Sequence, residues 1–116
     1  MGLDRLDGGA GNDSNVFGGA NNDTIRGDEG DDQLNGGNGA DSLAGGTGND
    51  ILVDGLDTNG DRYEGEGAGF DGTDGGQDTV SYGNATNGVV ANLTTGQGTG
   101  NDASNDIYSG IEHVVG

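Results

Sequence analysis

Residues 36–44 read GGNGADSLA, and residues 45–53 follow at once with the closely similar GGTGNDILV. The two preceding segments of nine residues, 18–26 and 27–35, read GGANNDTIR and GDEGDDQLN. Each unit has Asp at its sixth place and an aliphatic residue at its eighth. A constant period of this kind predicts an array of stacked structural units and outweighs the propensities of single residues.

The pattern continues towards the start of the chain with one irregularity. Residues 1–7 fit the end of an earlier unit, with Asp4 at place six. Residues 8–17 form a unit that is one residue too long. We expect the extra residue to form a bulge near Ser14–Asn15 that still directs Val16 inward.

The nine places of a unit divide into two parts with different requirements. The first six, Gly-Gly-x-Gly-x-Asp, need positive φ angles and close backbone approach, which glycine allows because it has no Cβ. Asn21 at place four and Asp28 at place two depart from glycine, and Asn tolerates the left-handed region better than most residues. The last three places alternate polar, apolar and polar, which predicts a very short strand with one inward side chain. The inward side chains would form a column: Leu6, Val16, Ile25, Leu34, Leu43 and Leu52.

The composition indicates that apolar burial alone does not fold this array. Of 116 residues only 28% are hydrophobic and 4% aromatic, while 29 are Gly and the net charge is -18. Low hydrophobicity with high net charge is typical of disordered chains, because burial does not offset the entropy of ordering. A flexible linker rich in Gly, Asp and Asn is therefore the alternative interpretation. An array needs something that neutralises its carboxylates.

The charge also restricts the class of partner. A polyanion repels nucleic acids and anionic membrane surfaces, and no apolar run approaches the length of a membrane span. Multivalent cations are the natural partners, since Asp carboxylates and backbone carbonyls are hard oxygen ligands. The chain has no Cys and one His, which argues against thiolate zinc sites and iron–sulfur clusters.

The units resemble the calcium-binding nonapeptide repeats of RTX (hemolysin-type) proteins, a family that includes secreted bacterial toxins, proteases, lipases and epimerases. The resemblance covers residues 1–53. It implies an all-β, right-handed parallel β-roll in which two repeats make one turn and short strands lie in two facing sheets. It also implies several Ca²⁺ ions, each held between repeats n and n+2 by sixth-place Asp residues and by backbone carbonyls.

Carried over residue by residue, the resemblance assigns the carboxylate ligands to Asp4, Asp13, Asp23, Asp32, Asp41 and Asp50. The pairs that share an ion would be Asp4 with Asp23, Asp13 with Asp32, Asp23 with Asp41, and Asp32 with Asp50. The backbone ligands would be Gly9, Gly11, Gly19, Asn21, Gly30, Gly37, Gly39, Gly46 and Gly48. The bulge after Asp13 and the residues Asn21 and Asp28 are the departures of this sequence from the family's pattern.

The period breaks after residue 53, and residues 54–77 are interpreted as an irregular acidic insertion. Residues 57–61 read DTNGD, with oxygen ligands at alternating places as in a calcium loop. They are no EF-hand, because Arg62 stands where that pattern requires Gly and Ala68 where it requires Glu. An additional calcium site in this loop remains the alternative. Residues 66–71 and 75–81 read as degenerate repeat loops, which makes Asp71 and Asp78 candidate ligands.

Residues 78–116 are predicted to be rich in strands. Alternation in residues 88–93, and in residues 107–115, favours strands, and we expect the roll or a parallel β-helix to continue here. This segment would cap the end of the calcium-binding array. The chain thus divides into repeats at 1–53, an insertion at 54–77, and a strand-rich continuation or cap at 78–116.

These observations predict a calcium-binding module and not an enzyme. His113 is the only histidine, no G-x-S-x-G motif occurs, and the absence of Lys excludes a Walker-type phosphate loop. Calcium would neutralise the carboxylates and fold the chain. The resemblance implies a larger secreted bacterial protein exported through type I secretion, whose other domains are further partners. The alternatives are a polysaccharide-contacting accessory module of a secreted enzyme, and an adhesin or ice-binding segment.

Overall fold

The computed structural model of the chain describes residues 2–55, 57–65, 76–83, 85 and 88–116. These residues are all-β, apart from a single turn of 3₁₀-helix at Asn101–Ala103. The strands are β1 (Arg5–Ala10), β2 (Val16–Ala20), β3 (Thr24–Glu29), β4 (Gln33–Asn38), β5 (Ser42–Thr47), β6 (Ile51–Val53), β7 (Arg62–Glu64), β8 (Thr79–Ser81), β9 (Val90–Asn92), β10 (Gln97–Thr99), β11 (Ile107–Ser109) and β12 (His113–Val115).

The first eight strands alternate between two sheets. One sheet has the order β1-β3-β5-β7-β11-β10-β9 and the other the order β12-β8-β6-β4-β2. Neighbours among β1 to β8 are parallel, and their register joins residues one turn apart, such as Leu34 with Leu52. One turn therefore consists of two nine-residue units, because each unit supplies one strand and consecutive units supply it to opposite sheets.

The predicted column of inward side chains is confirmed. Ile25, Leu34, Leu43 and Leu52 are at most 1% exposed, and Leu6 and Val16 pack half-buried at the start of the array. Parallel register continues both rows of this column beyond the repeats. Leu43 is followed in its row by Tyr63 and Tyr108, and Leu52 is followed by Val80 and Val114.

The backbone confirms the need for positive φ at places two and four. Gly37 and Gly39 have φ of 97° and 136°, and the substitutes Asp28 and Asn21 adopt 79° and 89°. These two non-glycine positions therefore keep the loop conformation of the other units. At the predicted place of the extra residue, Asn15 has a positive φ of 63°, and Val16 still pairs with Leu34 in register.

The strands of the repeats are longer than the three residues that the alternation predicts. Strands β1 to β5 span five or six residues and include the first glycine-rich places of the following unit. Gly19 pairs with Gly37, and Asp28 with Gly46, in the same ladders. Backbone groups make these hydrogen bonds, so side-chain alternation does not reveal them.

The second half of the chain contains strands close to the predicted places, but not all of them are parallel. Strands β7, β8, β11 and β12 extend the parallel ladders. Strands β9 and β10 are antiparallel to each other, and β10 is antiparallel to β11, so the expectation of a purely parallel continuation was wrong there. The connection between β9 and β10 is a tight turn, closed by a bond from Gly96 N–H to Asn92 O of 2.8 Å. A turn this short joins only antiparallel strands.

Candidate metal centre

The sixth-place Asp residues form hydrogen-bonded ladders along the stack. Oδ1 of Asp23 accepts the backbone N–H of Asp4 at 2.9 Å, and Oδ1 of Asp41 accepts that of Asp23 at 2.8 Å. On the opposite side, Oδ1 of Asp32 accepts the N–H of Asp13 at 2.8 Å, and Oδ1 of Asp50 that of Asp32 at 2.9 Å. The structure thus brings together all four Asp pairs named from the sequence.

The second oxygen of these carboxylates is left without a partner. Oδ2 of Asp13, Asp23, Asp32, Asp41 and Asp50 is buried and accepts no hydrogen bond from the described residues. The last four of these Asp residues are only 1–3% exposed. A buried carboxylate oxygen with no donor is costly, so five such oxygens in successive loops fit a positively charged partner.

The glycine at place one makes room for that unpaired oxygen. A Cβ built on Gly8 would lie 2.8 Å from Oδ2 of Asp13, and one on Gly18 would lie 2.8 Å from Oδ2 of Asp23. Neither glycine has a positive φ. Glycine is therefore required at this place by space and not by conformation.

Backbone carbonyls complete the oxygen-rich surroundings. The place-two carbonyl of Gly19 points at Gly37 of the next turn, and the place-four carbonyl of Asn21 points at Gly39. Two carbonyls of one loop thus face the loop stacked on it. Carboxylate and carbonyl oxygens are the ligands that Ca²⁺ prefers, so the donors present fit this ion.

Residues 2–14 and 17–52 match the family model described as the RTX calcium-binding nonapeptide repeat, in four copies. These segments are RTX calcium-binding nonapeptide repeats. The repeat family is calcium-binding and structural, with no catalytic role of its own. Searches of curated proteins and of solved structures gave no match to the chain. None of the described residues forms a helix with the length and apolar character needed to cross a membrane.

The electrostatics of the RTX repeats are unfavourable without a cation. Burial raises the pKa of the Asp32 and Asp41 carboxyls, and it raises that of Asp50 to about 7. The N–H of Asp32 partly offsets this shift at Asp50, while the charges of Asp78 and Asp32 add to it. An opposite charge beside a carboxylate favours its ionised form, so a bound cation would lower these pKa values.

The ladders extend past the RTX repeats into residues that the nine-residue period does not reach. Oδ1 of Asp61 accepts the N–H of Asp41, and Oδ1 of Asp106 that of Asp61, both at 2.8 Å. On the other side, Asp78 and then Glu112 continue the ladder from Asp50 at 2.9 Å each. The predicted candidate Asp78 is therefore a ladder member, whereas Asp71 lies outside the described residues.

Sequence reasoning considered Asp61 only as part of a possible calcium loop at 57–61, and it did not predict Asp61, Asp106 or Glu112 as ladder members, although a shorter signal was present. Segments 61–65 and 106–110 read DRYEG and DIYSG, and segment 112–116 reads EHVVG. All three follow the pattern acid-x-apolar-x-Gly, which also describes places six to nine of a repeat and the glycine that follows. The loops between these segments vary in length, so a search for a fixed period of nine does not find them.

A second ladder at place five was also missed. Oδ1 of Asn12 accepts the N–H of Asp31 at 3.0 Å, and Oδ1 of Asp31 accepts that of Asn49 at 2.9 Å. Asn49 in turn accepts the N–H of Gln77 at 2.8 Å, and His113 Nε2 lies 3.0 Å from Gln77 Oε1. These exposed bonds link the stacked loops, and the only histidine of the sequence lies exposed beside Gln77.

Beyond the repeats the interior becomes polar and acidic. Carboxylate oxygens of Asp54, Asp61 and Asp106 lie within 4.8 Å of one another, and all three residues are buried. Tyr63 OH donates to Asp54 Oδ1 at 2.6 Å and to Asp61 Oδ2 at 3.1 Å. Burial raises the pKa of Asp54 and of Asp61, and it raises that of Asp106 to about 6.

Three tyrosines, which are all that the chain contains, surround these carboxylates. The rings of Tyr63 and Tyr108 are stacked with centroids 5.9 Å apart, and Tyr82 meets Tyr63 edge-on at 6.4 Å. Tyr82 OH donates to Asp106 and shares a hydrogen bond with Tyr108 OH. Tyr63, Tyr82 and Tyr108 form a tyrosine cluster. Beyond the repeats, this cluster fills the interior where the repeats have aliphatic side chains, and its hydroxyls bind the buried carboxylates.

Proposed function

We propose that this chain is a right-handed parallel β-roll module that folds when it binds several Ca²⁺ ions. Its sixth-place Asp carboxylates would hold the ions between stacked loops, together with carbonyls of places two and four. Bound calcium would supply the positive charge that the buried carboxylates lack. The proposal includes Asp78 as a further ligand, and it leaves Asp71 as a candidate on sequence grounds alone.

One observation carries the proposal: the five buried Oδ2 atoms that accept no hydrogen bond from the described residues. Each of these Oδ2 atoms lies over the glycine at place one of its own loop. In the last four of the five residues, Oδ1 already accepts a backbone N–H: Asp23, Asp32, Asp41 and Asp50. One oxygen of the carboxylate is thus fixed by the stack, and the other is oriented for a ligand. The apolar column has one aliphatic residue per repeat, which is too little burial to order nine residues by itself.

We further propose that the module belongs to a larger secreted bacterial protein. Repeats at 1–53 would form the calcium-binding part, residues 54–77 an insertion, and residues 78–116 a continuation or cap. Extracellular calcium modules bind with dissociation constants of order 10⁻⁴–10⁻³ M, which keeps such a chain unfolded in the cytosol and folds it outside. Unfolded repeats would suit export by type I secretion.

Far-UV circular dichroism of the 116-residue chain during a calcium titration tests the coupling of binding and folding. We expect a coil spectrum in chelator that converts cooperatively to β-structure with millimolar calcium, and little conversion with equal magnesium. Magnesium is the matched control because it has the same charge but holds its water ligands more tightly. A β spectrum in excess chelator, or a coil spectrum unchanged by calcium, would contradict the proposal.

A further inference from the structure

The two sheets differ in the charge of their strands. The sheet that contains β1, β3, β5 and β7 carries all three Arg of the chain, together with Asp7 and Glu64 on the same outer face. In the strands of the other sheet, β2, β4, β6, β8 and β12, no residue is Asp, Glu, Lys or Arg. The net charge of the chain is -18, so an uncharged sheet sets this side of the molecule apart.

The outer surface of this uncharged sheet, which we call the neutral face, consists of two rows of side chains. One row is Gln33, Ile51, Thr79 and His113, and the other is Phe17, Asn35, Val53, Ser81 and Val115. Apolar and uncharged polar residues alternate along the second row. The apolar side chains therefore form no patch larger than the neighbours Ile51 and Val53, whereas a protein interface buries a wider apolar centre. Five strands about 4.8 Å apart extend the rows over roughly 19 Å.

A cavity of about 200 Å³ opens on the neutral face at β2 and β4. Its lining includes Phe17, Asn35, Asn38, Asp54 and the place-two glycines Gly19 and Gly37. Phe17 is 57% exposed, whereas the three tyrosines of the chain are buried. Asp54 is also buried, and its Oδ1 accepts a hydrogen bond from Tyr63 OH. The cavity therefore presents mainly an aromatic ring and amide groups to a ligand.

Asn35 brings an unpaired polar atom to this cavity. Its Oδ1 is buried and accepts no hydrogen bond from the described residues. A buried acceptor without a donor is costly, and the fold does not require one at place nine, because Ala44 fills that place in the next repeat. The terminal torsion of Asn is soft, so the amide can turn this oxygen towards a hydroxyl donor in the cavity. A ligand rich in hydroxyls would thus satisfy an atom that the fold leaves unpaired.

We propose that the neutral face binds an uncharged polysaccharide, with Phe17 and Asn35 as principal contacts. Sugar rings offer apolar C–H surfaces to an aromatic ring, and their hydroxyls donate to and accept from amides and hydroxyls. The negative charge of the rest of the molecule repels anionic polymers, which selects an uncharged one. The face exists only in the folded roll, so this binding rests on the proposed function, although neither Phe17 nor Asn35 is a proposed calcium ligand.

Affinity electrophoresis in native gels tests the binding, with millimolar calcium present to keep the chain folded. The uncharged probes are hydroxyethyl cellulose and dextran, and the matched anionic controls on the same two backbones are carboxymethyl cellulose and dextran sulfate. We expect at least one uncharged probe to retard the chain in proportion to its concentration. Its anionic counterpart should retard the chain less, because like charges repel.

Phe17→Ala and Asn35→Ala should each weaken the binding roughly 2- to 10-fold, as expected for the loss of one aromatic contact or one hydrogen bond. Circular dichroism in calcium shows whether each variant folds. Asn35→Ala should fold at the same calcium concentration as the native chain or at a lower one, because it removes an unpaired acceptor. The matched control is Ile107→Ala, at an exposed apolar residue of the opposite sheet, which should leave the binding unchanged.

Three results would overturn this inference for a chain that is folded in calcium. Equal or stronger retardation by the anionic counterpart would exclude selection of an uncharged polymer. Unchanged binding in both folded variants would place the contact elsewhere on the molecule. No retardation by either uncharged probe would assign the neutral face to a protein partner instead. A chain that circular dichroism shows to be unfolded in calcium would overturn the proposed function, and this inference with it.

Discussion

At the scale of single residues, the two oxygens of each sixth-place Asp have different tasks. Oδ1 of Asp32 is fixed by the N–H of Asp13, while its Oδ2 is buried with no donor among the described residues. The first bond stacks one turn on the next and holds the carboxylate in one orientation. The unpaired oxygen is then presented to a cation at little further entropic cost, because the side chain is already ordered.

The place-one glycines make this orientation possible, which leads to a first prediction. A Cβ on Gly18 would lie 2.6 Å from Gly36 O and 2.8 Å from Asp23 Oδ2. We therefore expect Gly18→Ala to destabilise the calcium-bound fold by about 1–3 kcal/mol, the usual cost of overpacking. Urea unfolding in saturating calcium measures the change.

The matched control is Gly83→Ala. A Cβ there would lie 3.4 Å from its nearest neighbour, Ser81 Oγ, and Gly83 has no positive φ. This variant should have nearly unchanged stability. Equal unfolding midpoints for the two variants would show that the space at place one is not limiting.

At the scale of elements, the ladders keep their register although the connections vary greatly in length. Successive ladder residues are separated by 18 or 19 positions in the repeats, by 28 between Asp50 and Asp78, and by 45 between Asp61 and Asp106. Each parallel strand still pairs its inward residue with the one below, as Tyr63 does with Tyr108. A loop grows at modest entropic cost when the strands on both sides remain in register.

Burial of the inward column and binding of calcium should stabilise the same folded state, so weakening the column should raise the calcium concentration needed for folding. Leu34 in β4 is fully buried, so Leu34→Ala should destabilise the folded state by about 2–5 kcal/mol. Because binding and folding are proposed to be coupled, the calcium concentration at the midpoint of folding should rise. The control, Gln33→Ala, alters an exposed residue of the same strand and should leave the midpoint nearly unchanged. If both variants fold at the same calcium concentration, the coupling is refuted.

At the scale of the whole molecule, the fold gathers like charges and has few basic groups to balance them. The net charge is -18, and eight Asp residues in the part of the chain that the structure describes are buried. Arg5 pairs with Asp7 and Arg62 with Glu64, all four of them outside the ladders. We therefore expect the fold to depend on an external species, a cation or a proton, that neutralises its interior.

This dependence gives a prediction for pH. The folded pKa of Asp50 is raised to about 7 and that of Asp106 to about 6, whereas unfolded Asp titrates near 4. The metal-free folded state thus binds more protons than the unfolded state, so its stability falls as pH rises between about 4 and 7. We expect the calcium-free chain to gain β-structure on acidification from pH 8 to pH 5, as measured by circular dichroism.

Calcium should reverse the sign of this dependence, because protons compete with the ion for the same carboxylates. Acidification over the same range should then raise the calcium concentration needed for folding. A calcium-free spectrum that does not change with pH would show that the buried carboxylates do not limit the stability of the metal-free state.

The sequence alone determined the repeating part of this protein. The period of nine, the aliphatic eighth place and the glycine at places two and four predicted the inward column and the positive φ angles, and the resemblance to the RTX repeat implied the paired Asp residues up to Asp50. These features depend on local chemistry that repeats at a fixed interval, so the pattern can be read without coordinates. The all-β class and the RTX calcium-binding repeats followed from the same residues.

Only the tertiary structure decided which residues beyond the repeats join the ladders. Asp61, Asp106 and Glu112 follow connections of different lengths, and their alignment with Asp41 and Asp78 depends on strand pairing between distant segments. The same holds for the antiparallel strands β9 and β10 and for the tyrosine cluster around Asp61. Register between strands is set by backbone hydrogen bonds and by packing across turns, and neither leaves a fixed spacing in the sequence.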